Sequence, residues 1–145
     1  MPDILLELTI AAAPDKVFKA LTEQQGLEAW WTTHMVAEPI VGSAVKAFLK
    51  GGQTGGQTVI KMEMRTLEPD RKVVWGVLER VAGWGGSQFT WDLSAVEKGT
   101  KVLFGYRDFP ASAEGNLPSL TYAWALNLTS LKDYLEKGKG NPKPG

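Results

Sequence analysis

The pattern of hydrophobic and polar positions changes its period three times along the chain. Alternation with a period of two predicts strands, because successive side chains of a strand point to opposite faces of a sheet. It appears first over Ile4–Ile10, where Leu6, Leu8 and Ile10 share one face. It returns after Trp31, and the strands predicted there are Val45–Leu49, Thr58–Leu67, Lys72–Arg80, Ser87–Val96 and Thr100–Arg107. We therefore predict one strand near the start and five or more antiparallel strands in the middle of the chain.

Two short helices are predicted between the first strand and the rest. Pro14 suits the first turn of a helix, because its missing N–H has no intrahelical partner at that position. The apolar face of this helix consists of Val17, Phe18 and Leu21. Thr22 is the predicted cap of a second helix that continues through Leu27 to Trp31.

A long amphipathic helix is predicted over Asn116–Gly138, where the period becomes about 3.6. Its apolar residues recur at spacings of three and four and form one stripe: Leu117, Leu120, Trp124, Leu128, Leu131 and Leu135. A sheet with one apolar face and a helix with one apolar stripe bury both by packing together. The predicted fold is therefore α+β, with a curved antiparallel sheet wrapped around the C-terminal helix.

Five segments in the same order resemble the START-like SRPBCC superfamily, whose fold is called helix-grip. The segments are Pro14–Thr22, Leu27–Trp31, Glu68–Trp75, Gly99–Val102, and Trp124 together with Leu128–Gly140. The last of these is similar to the C-terminal helix of the subgroup named after the activator of heat-shock-protein-90 ATPase.

The resemblance implies a single helix-grip domain over residues 1–145, with an extended tail at 139–145 and a cavity between the sheet and the long helix. Members of the superfamily bind lipids, hormones or polyketides, some are cyclases, aromatases or dehydratases, and the subgroup's namesake binds a chaperone. Because the superfamily has no universal catalytic motif, the resemblance assigns no catalytic residue. The glycine-rich segment at 51–56 departs from the usual pattern, at the expected mouth of the cavity.

Composition and charge narrow the classes of partner. Lys and Arg number 16 and Asp and Glu number 16, so the net charge is zero, which argues against nucleic-acid binding. With no cysteine and one histidine, thiolate and multi-histidine metal sites are excluded, and we expect no cofactor. No stretch approaches the roughly 20 apolar residues of a membrane span. Asp3 lies where a signal peptide would be basic, so we expect a cytoplasmic protein. We also expect it to be a monomer or a weak homodimer.

The candidate site is the predicted interior between sheet and helix. Its expected lining comprises Trp31, Met62, Met64, Trp75, Glu79, Phe89, Trp91, Phe104, Tyr106, Trp124, Asn127 and Leu131. Aromatic walls with a few polar groups suit a small hydrophobic or aromatic ligand, and we predict a pocket of about 300 Å³ or more. The same aromatic residues would equally serve as a filled core, with the polar groups bonded to one another or to the backbone.

Three functions are therefore compared. The first is binding of a small hydrophobic molecule in the cavity, which a deep pocket would favour. The second is binding of a chaperone through the surface, which a large exposed apolar patch would favour. The third is cyclase or dehydratase activity with His34, Glu79 or Tyr106 as the acid or base.

Overall fold

The computed structural model describes residues 3–50, 57–79, 86–108 and 117–144, except the side chains of residues 57, 58, 79 and 117. The glycine-rich segment at 51–56 and the predicted helix start at Asn116 lie outside the described residues. The elements in chain order are β1 (Ile4–Ile10), α1 (Pro14–Thr22), α2 (Gln24–Trp30), β2 (His34–Val36), β3 (Ala44–Lys50), β4 (Gln57–Glu68), β5 (Lys72–Glu79), β6 (Gln88–Val96), β7 (Gly99–Arg107) and α3 (Leu117–Lys137).

The strands form one seven-stranded antiparallel sheet in the order β1-β7-β6-β5-β4-β3-β2. Register shifts in β4 lie between Lys61 and Met62 and between Met64 and Thr66. Such bulges bend a strand and increase its twist, which helps the sheet curl around α3. The predicted α+β helix-grip fold is confirmed.

The register brings the large apolar side chains of neighbouring strands opposite one another. Met64 pairs with Trp75, and Trp75 pairs in turn with Phe89. On the next strand Phe89 lies opposite Tyr106, and Trp91 lies opposite Phe104. All these side chains are buried, so one face of the curled sheet is a continuous aromatic surface.

The two short helices lie between β1 and β2, as predicted, and α1 begins with Pro14. One detail differs from the prediction. The cap of α2 is Glu23, and its side chain makes no capping hydrogen bond. The hydroxyl of Thr22 donates instead to the carbonyl oxygen of Phe18 at 2.9 Å, because Thr22 is still part of α1.

The long helix α3 packs its apolar stripe on the sheet. Trp124, Leu128 and Leu131 are at most 4% exposed, which confirms the predicted stripe. Gly138 follows the helix with φ of +82°, a left-handed conformation that favours glycine, and its N–H donates to the carbonyl oxygen of Tyr134. The helix therefore ends where the sequence predicts.

Candidate functional site

The interior between the sheet and α3 contains eight aromatic side chains that contact one another. This aromatic cluster consists of Trp30, Trp31, Trp75, Phe89, Trp91, Phe104, Tyr106 and Trp124. The ring of Trp31 stacks on Trp75 with centroids 5.4 Å apart and planes 5° apart. The centroid distance is 4.7 Å between Phe104 and Trp124 and 4.4 Å between Phe89 and Tyr106. These are the separations of favourable aromatic packing.

The structure brings eleven of the twelve predicted lining residues together in this buried interior. The exception is Glu79, whose side chain lies outside the described residues. The predicted pocket of about 300 Å³ is not confirmed, because the rings that were to line it pack against each other. The four surface pockets described are lined by other residues, on the helices, the strands' outer face and the N-terminal loop.

Two polar atoms inside the aromatic cluster are buried without a hydrogen-bond partner. They are the indole nitrogens Nε1 of Trp75 and Trp91, and the described residues offer neither of them an acceptor. By contrast, Nε1 of Trp30 donates to the carbonyl oxygen of Ala20 at 2.8 Å. Leaving a buried donor unpaired costs about 1–3 kcal/mol, so native proteins rarely do so. The two indole N–H groups therefore remain available to a bound acceptor.

The other two polar residues predicted for the interior have partners. The hydroxyl of Ser87 donates to the Tyr106 hydroxyl at 3.5 Å. Asn127, which is 5% exposed, accepts a hydrogen bond through Oδ1 from the ammonium of Lys143. Tyr106 and Asn127 are thus hydrogen-bonded within the protein. This agrees with the alternative in which the interior is a filled core, and not with the one in which these residues face a ligand.

Lys143 reaches Asn127 because the end of the chain folds back on the domain. We call residues 139–144 the C-terminal strap. The Lys143 N–H donates to the carbonyl oxygen of Trp31 at 2.8 Å, and its carbonyl oxygen accepts from the Thr33 N–H at 2.9 Å. The Lys50 N–H donates to the carbonyl oxygen of Pro144 at 2.9 Å. The strap therefore joins α3 to the β2–β3 edge of the sheet.

Sequence analysis missed the strap as part of the site. Gly140, Pro142 and Pro144 predict an extended chain, and the structure places residues 139–144 outside the helices and the named strands. Nothing in the periodicity of six residues predicts that this chain docks, because its bonds to Trp31, Thr33 and Lys50 join backbone atoms that lie more than 90 positions apart in the sequence. The segment contains two lysines, and the sequence does not distinguish the half-buried Lys143 from the exposed Lys139.

Burial lowers the pKa of the Lys143 ammonium from its ordinary value of 10.5. The ion pairs of the described residues do not include this ammonium, and its hydrogen-bond acceptor, Asn127, is neutral. Asp133 borders the same groove as Lys143 but forms an ion pair with Lys137 at 3.4 Å. Lys143 is therefore a half-buried cation whose charge no described carboxylate balances.

His34, the candidate for acid–base chemistry, does not face the aromatic cluster. It lies on the edge strand β2, next to the buried Met35, so its exposed side chain points to the opposite face. Its ring stacks on Phe48 with centroids 4.1 Å apart. Within the described parts of the chain, no group of three or more His, Asp or Glu residues could hold a metal ion. No helix there is long and apolar enough to cross a membrane.

Comparison with known proteins gives both family and structural matches. Residues 11–136 match the family described as activator of Hsp90 ATPase homolog 1-like protein. The solution structure of the Aha1 dimer from Colwellia psychrerythraea is 31% identical, with a TM-score of 0.81, and the match covers 97% of this chain and all of that one. A search of the curated proteins gave no match.

Two more distant structures share the fold. The protein SSP2350 from Staphylococcus saprophyticus is 19% identical with a TM-score of 0.75, over 97% of this chain and 96% of that chain. DynU16, a putative protein in the dynemicin biosynthetic locus, is 21% identical with a TM-score of 0.76, over 95% of this chain and 48% of that chain. The fold therefore occurs with widely different sequences.

Proposed function

We propose that this chain, which belongs to the family of activator of Hsp90 ATPase homolog 1-like proteins, binds a small apolar molecule between its sheet and α3. The observation that carries the proposal is the pair of unpaired indole N–H groups of Trp75 and Trp91. A ligand with a carbonyl or similar acceptor would satisfy them, and the surrounding rings would cover its apolar body. Binding would thus supply the hydrogen bonds that these two indoles do not make within the protein.

Space for the ligand must come from rearrangement of the cluster. Met62 and Met64 lie on the same buried face as the rings, and methionine adapts to changes in packing more easily than branched or aromatic side chains. The strap covers the side of α3 that faces β2 and β3, and it is held there mainly by backbone hydrogen bonds. We infer that the ligand enters as the strap and the methionine side chains move.

The test uses 2-acetylnaphthalene, a neutral aromatic ketone, as a probe, with tryptophan fluorescence and calorimetry as readouts. The variants Trp75→Phe and Trp91→Phe keep an aromatic ring but remove the donor. Each should weaken binding about fivefold, which corresponds to about 1 kcal/mol for one hydrogen bond. The matched control is Trp30→Phe, because its indole N–H already has a protein acceptor.

The control should lower the free energy of unfolding and weaken binding of the probe less than the other two variants do, because it removes the same ring area but no free donor. Native mass spectrometry of protein from its own host provides an independent test, since a retained ligand would appear as added mass. If wild-type protein binds no apolar probe and carries no ligand, the proposal fails. It also fails if all three tryptophan variants bind the probe equally well.

A second candidate function, binding of a protein partner, is favoured by the outer face of α3. Tyr122 is 68% exposed and Leu126 is 48% exposed, and Leu126 borders a groove of about 380 Å³ between α3 and the strap. The Colwellia protein is named Aha1 and was solved as a dimer. We propose that this face binds a chaperone of the Hsp90 type or a second copy. Tyr122→Ala should then reduce stimulation of the chaperone's ATPase or dissociate a dimer in light scattering, without lowering stability.

A further inference from the structure

Among the described residues, three hydrogen-bond donors in and beside the interior are available to a ligand. Two are the indole N–H groups of Trp75 and Trp91. The third is the ammonium of Lys143, which has three N–H bonds and uses one for Asn127. A site that offers donors and a positive charge complements a ligand rich in acceptors and negatively charged.

Lys143 lies at the border of the aromatic cluster. Its backbone N–H is bonded to the carbonyl oxygen of Trp31, whose ring packs on Trp75 and Trp124. Its acceptor Asn127 is buried one helical turn after Trp124. The ammonium itself lies against Asn127 and borders the groove between α3 and the strap. A ligand that extends from the cluster past Asn127 would bring its polar end to this ammonium.

Lys143 is half-buried, and its charge has no counter-ion among the described residues, so its ammonium is free to pair with an anion. Asn127 supplies an acceptor but no negative charge. A carboxylate could accept from the remaining N–H bonds without displacing the amide. Its hydrogen bonds to the ammonium would be charge-assisted, which are about twice as strong as neutral ones.

We propose that the ligand of this site is an aromatic or otherwise apolar carboxylate, with its carboxylate on the Lys143 ammonium and its apolar body among the rings. The proposal rests on the proposed function, because it names the class of ligand for the same interior. It assigns Lys143 as the residue that selects anionic over neutral ligands.

The experiment compares 2-naphthoate with 2-acetylnaphthalene, two probes of nearly the same shape that differ in charge. Affinities are measured at pH 7 for the wild-type chain, Lys143→Met and Lys143→Arg. The matched control is Lys139→Met, which removes the same charge from an exposed position of the strap. Circular dichroism establishes that each variant is folded.

We expect wild-type protein to bind 2-naphthoate at least tenfold more tightly than 2-acetylnaphthalene. Lys143→Met should abolish this preference by weakening the naphthoate alone, Lys143→Arg should retain part of it, and Lys139→Met should retain all of it. If Lys143→Met does not fold, the comparison of wild type with Lys143→Arg still tests the proposal. Both should prefer 2-naphthoate to 2-acetylnaphthalene, and the wild type should do so more strongly.

The possible failures are distinguishable. If both probes bind the wild type equally well, the proposed function survives and the carboxylate proposal is overturned. The carboxylate proposal is also overturned if Lys143→Met still prefers 2-naphthoate, or if Lys139→Met loses this preference as completely as Lys143→Met does. If neither probe binds, the proposed function and this inference are both overturned.

Discussion

The two flanks of α3 are attached to the rest of the protein by different chemistry. On the flank that faces β1, the contacts are exposed. The Lys132 ammonium donates to the carbonyl oxygen of Thr9 at 2.6 Å and to the Glu136 carboxylate at 2.8 Å, and that carboxylate accepts from the Ala11 N–H at 2.8 Å. Water can replace each of these partners if the contact breaks.

On the flank that faces α2 and the strap, the contacts are buried. The Ser130 hydroxyl donates to the carbonyl oxygen of Trp30 at 2.7 Å and accepts from the Asn141 N–H at 2.7 Å. Water cannot easily replace these partners, because Ser130 is 5% exposed. The strap flank should therefore be sensitive to single substitutions, while the β1 flank should tolerate them.

Gly140→Ala should produce the largest effect, because the strap is packed too closely at this position to accept an added methyl group. A Cβ at this position would lie 2.6 Å from the carbonyl oxygen of Ala29 and 3.0 Å from that of Ser130. Backbone atoms cannot move aside as a flexible side chain can, so the strap must shift. We expect a loss of about 3 kcal/mol in the free energy of unfolding, the upper end for overpacking.

The measurement for Gly140→Ala is urea denaturation, with Lys139→Ala as the control from an exposed neighbouring position. The control should change the free energy of unfolding by less than about 0.5 kcal/mol. Equal and small effects in both variants would mean that the strap is loosely docked, and the contrast between the two flanks would disappear.

Ser130→Ala should produce the next largest effect. The substitution removes a donor and an acceptor at once and leaves the carbonyl oxygen of Trp30 and the N–H of Asn141 without their partner. We expect a loss of about 2 kcal/mol, measured by the same denaturation experiment. Thr129→Ala is the control, because the exposed Thr129 hydroxyl only donates to the carbonyl oxygen of Ala125 within α3. If the two variants lose the same amount, burial of Ser130 does not matter.

The fold could be predicted from the sequence because its main signals are periodic. Alternation located the longer strands, and the 3.6-residue period located α3 to within about a residue at its end. The predicted SRPBCC-type family is confirmed as well. β2 was not predicted, because His34–Val36 is too short for alternation to be recognised. Its place in the sheet comes from tertiary contacts, namely the pairing with β3 and the hydrogen bond from the Met35 N–H to the Glu28 carboxylate.

The site could be predicted only in part. Strand parity indicates which side chains face inward, and it placed Met62, Phe89 and Tyr106 on the buried face correctly. Parity does not determine whether facing aromatic rings enclose a void or fill it, since that depends on how closely the sheet approaches α3. It also cannot distinguish the Trp30 indole, which finds an acceptor, from the Trp75 indole, which does not.

Glu136→Gln should produce the smallest effect and the only one with a clear acid dependence. The hydrogen bond from Lys132, followed by that from the Ala11 N–H, holds the pKa of the Glu136 carboxyl below its ordinary value of 4.5. The folded state therefore favours the ionised form. The contribution of Glu136 to stability is fully present above pH 4.5 and is lost as the pH falls through the lower folded pKa.

At pH 7 we expect Glu136→Gln to lower the free energy of unfolding by about 0.2–1 kcal/mol, as for other surface ion pairs. The difference should shrink toward zero in urea titrations at pH 2–3, and raising the salt concentration at pH 7 should reduce it too. Glu97→Gln, in an exposed turn, is the control and should leave the free energy of unfolding at pH 7 unchanged. A loss at pH 7 as large as that of Ser130→Ala would contradict the contrast, because the exposed β1 flank would then hold α3 as firmly as the buried flank does.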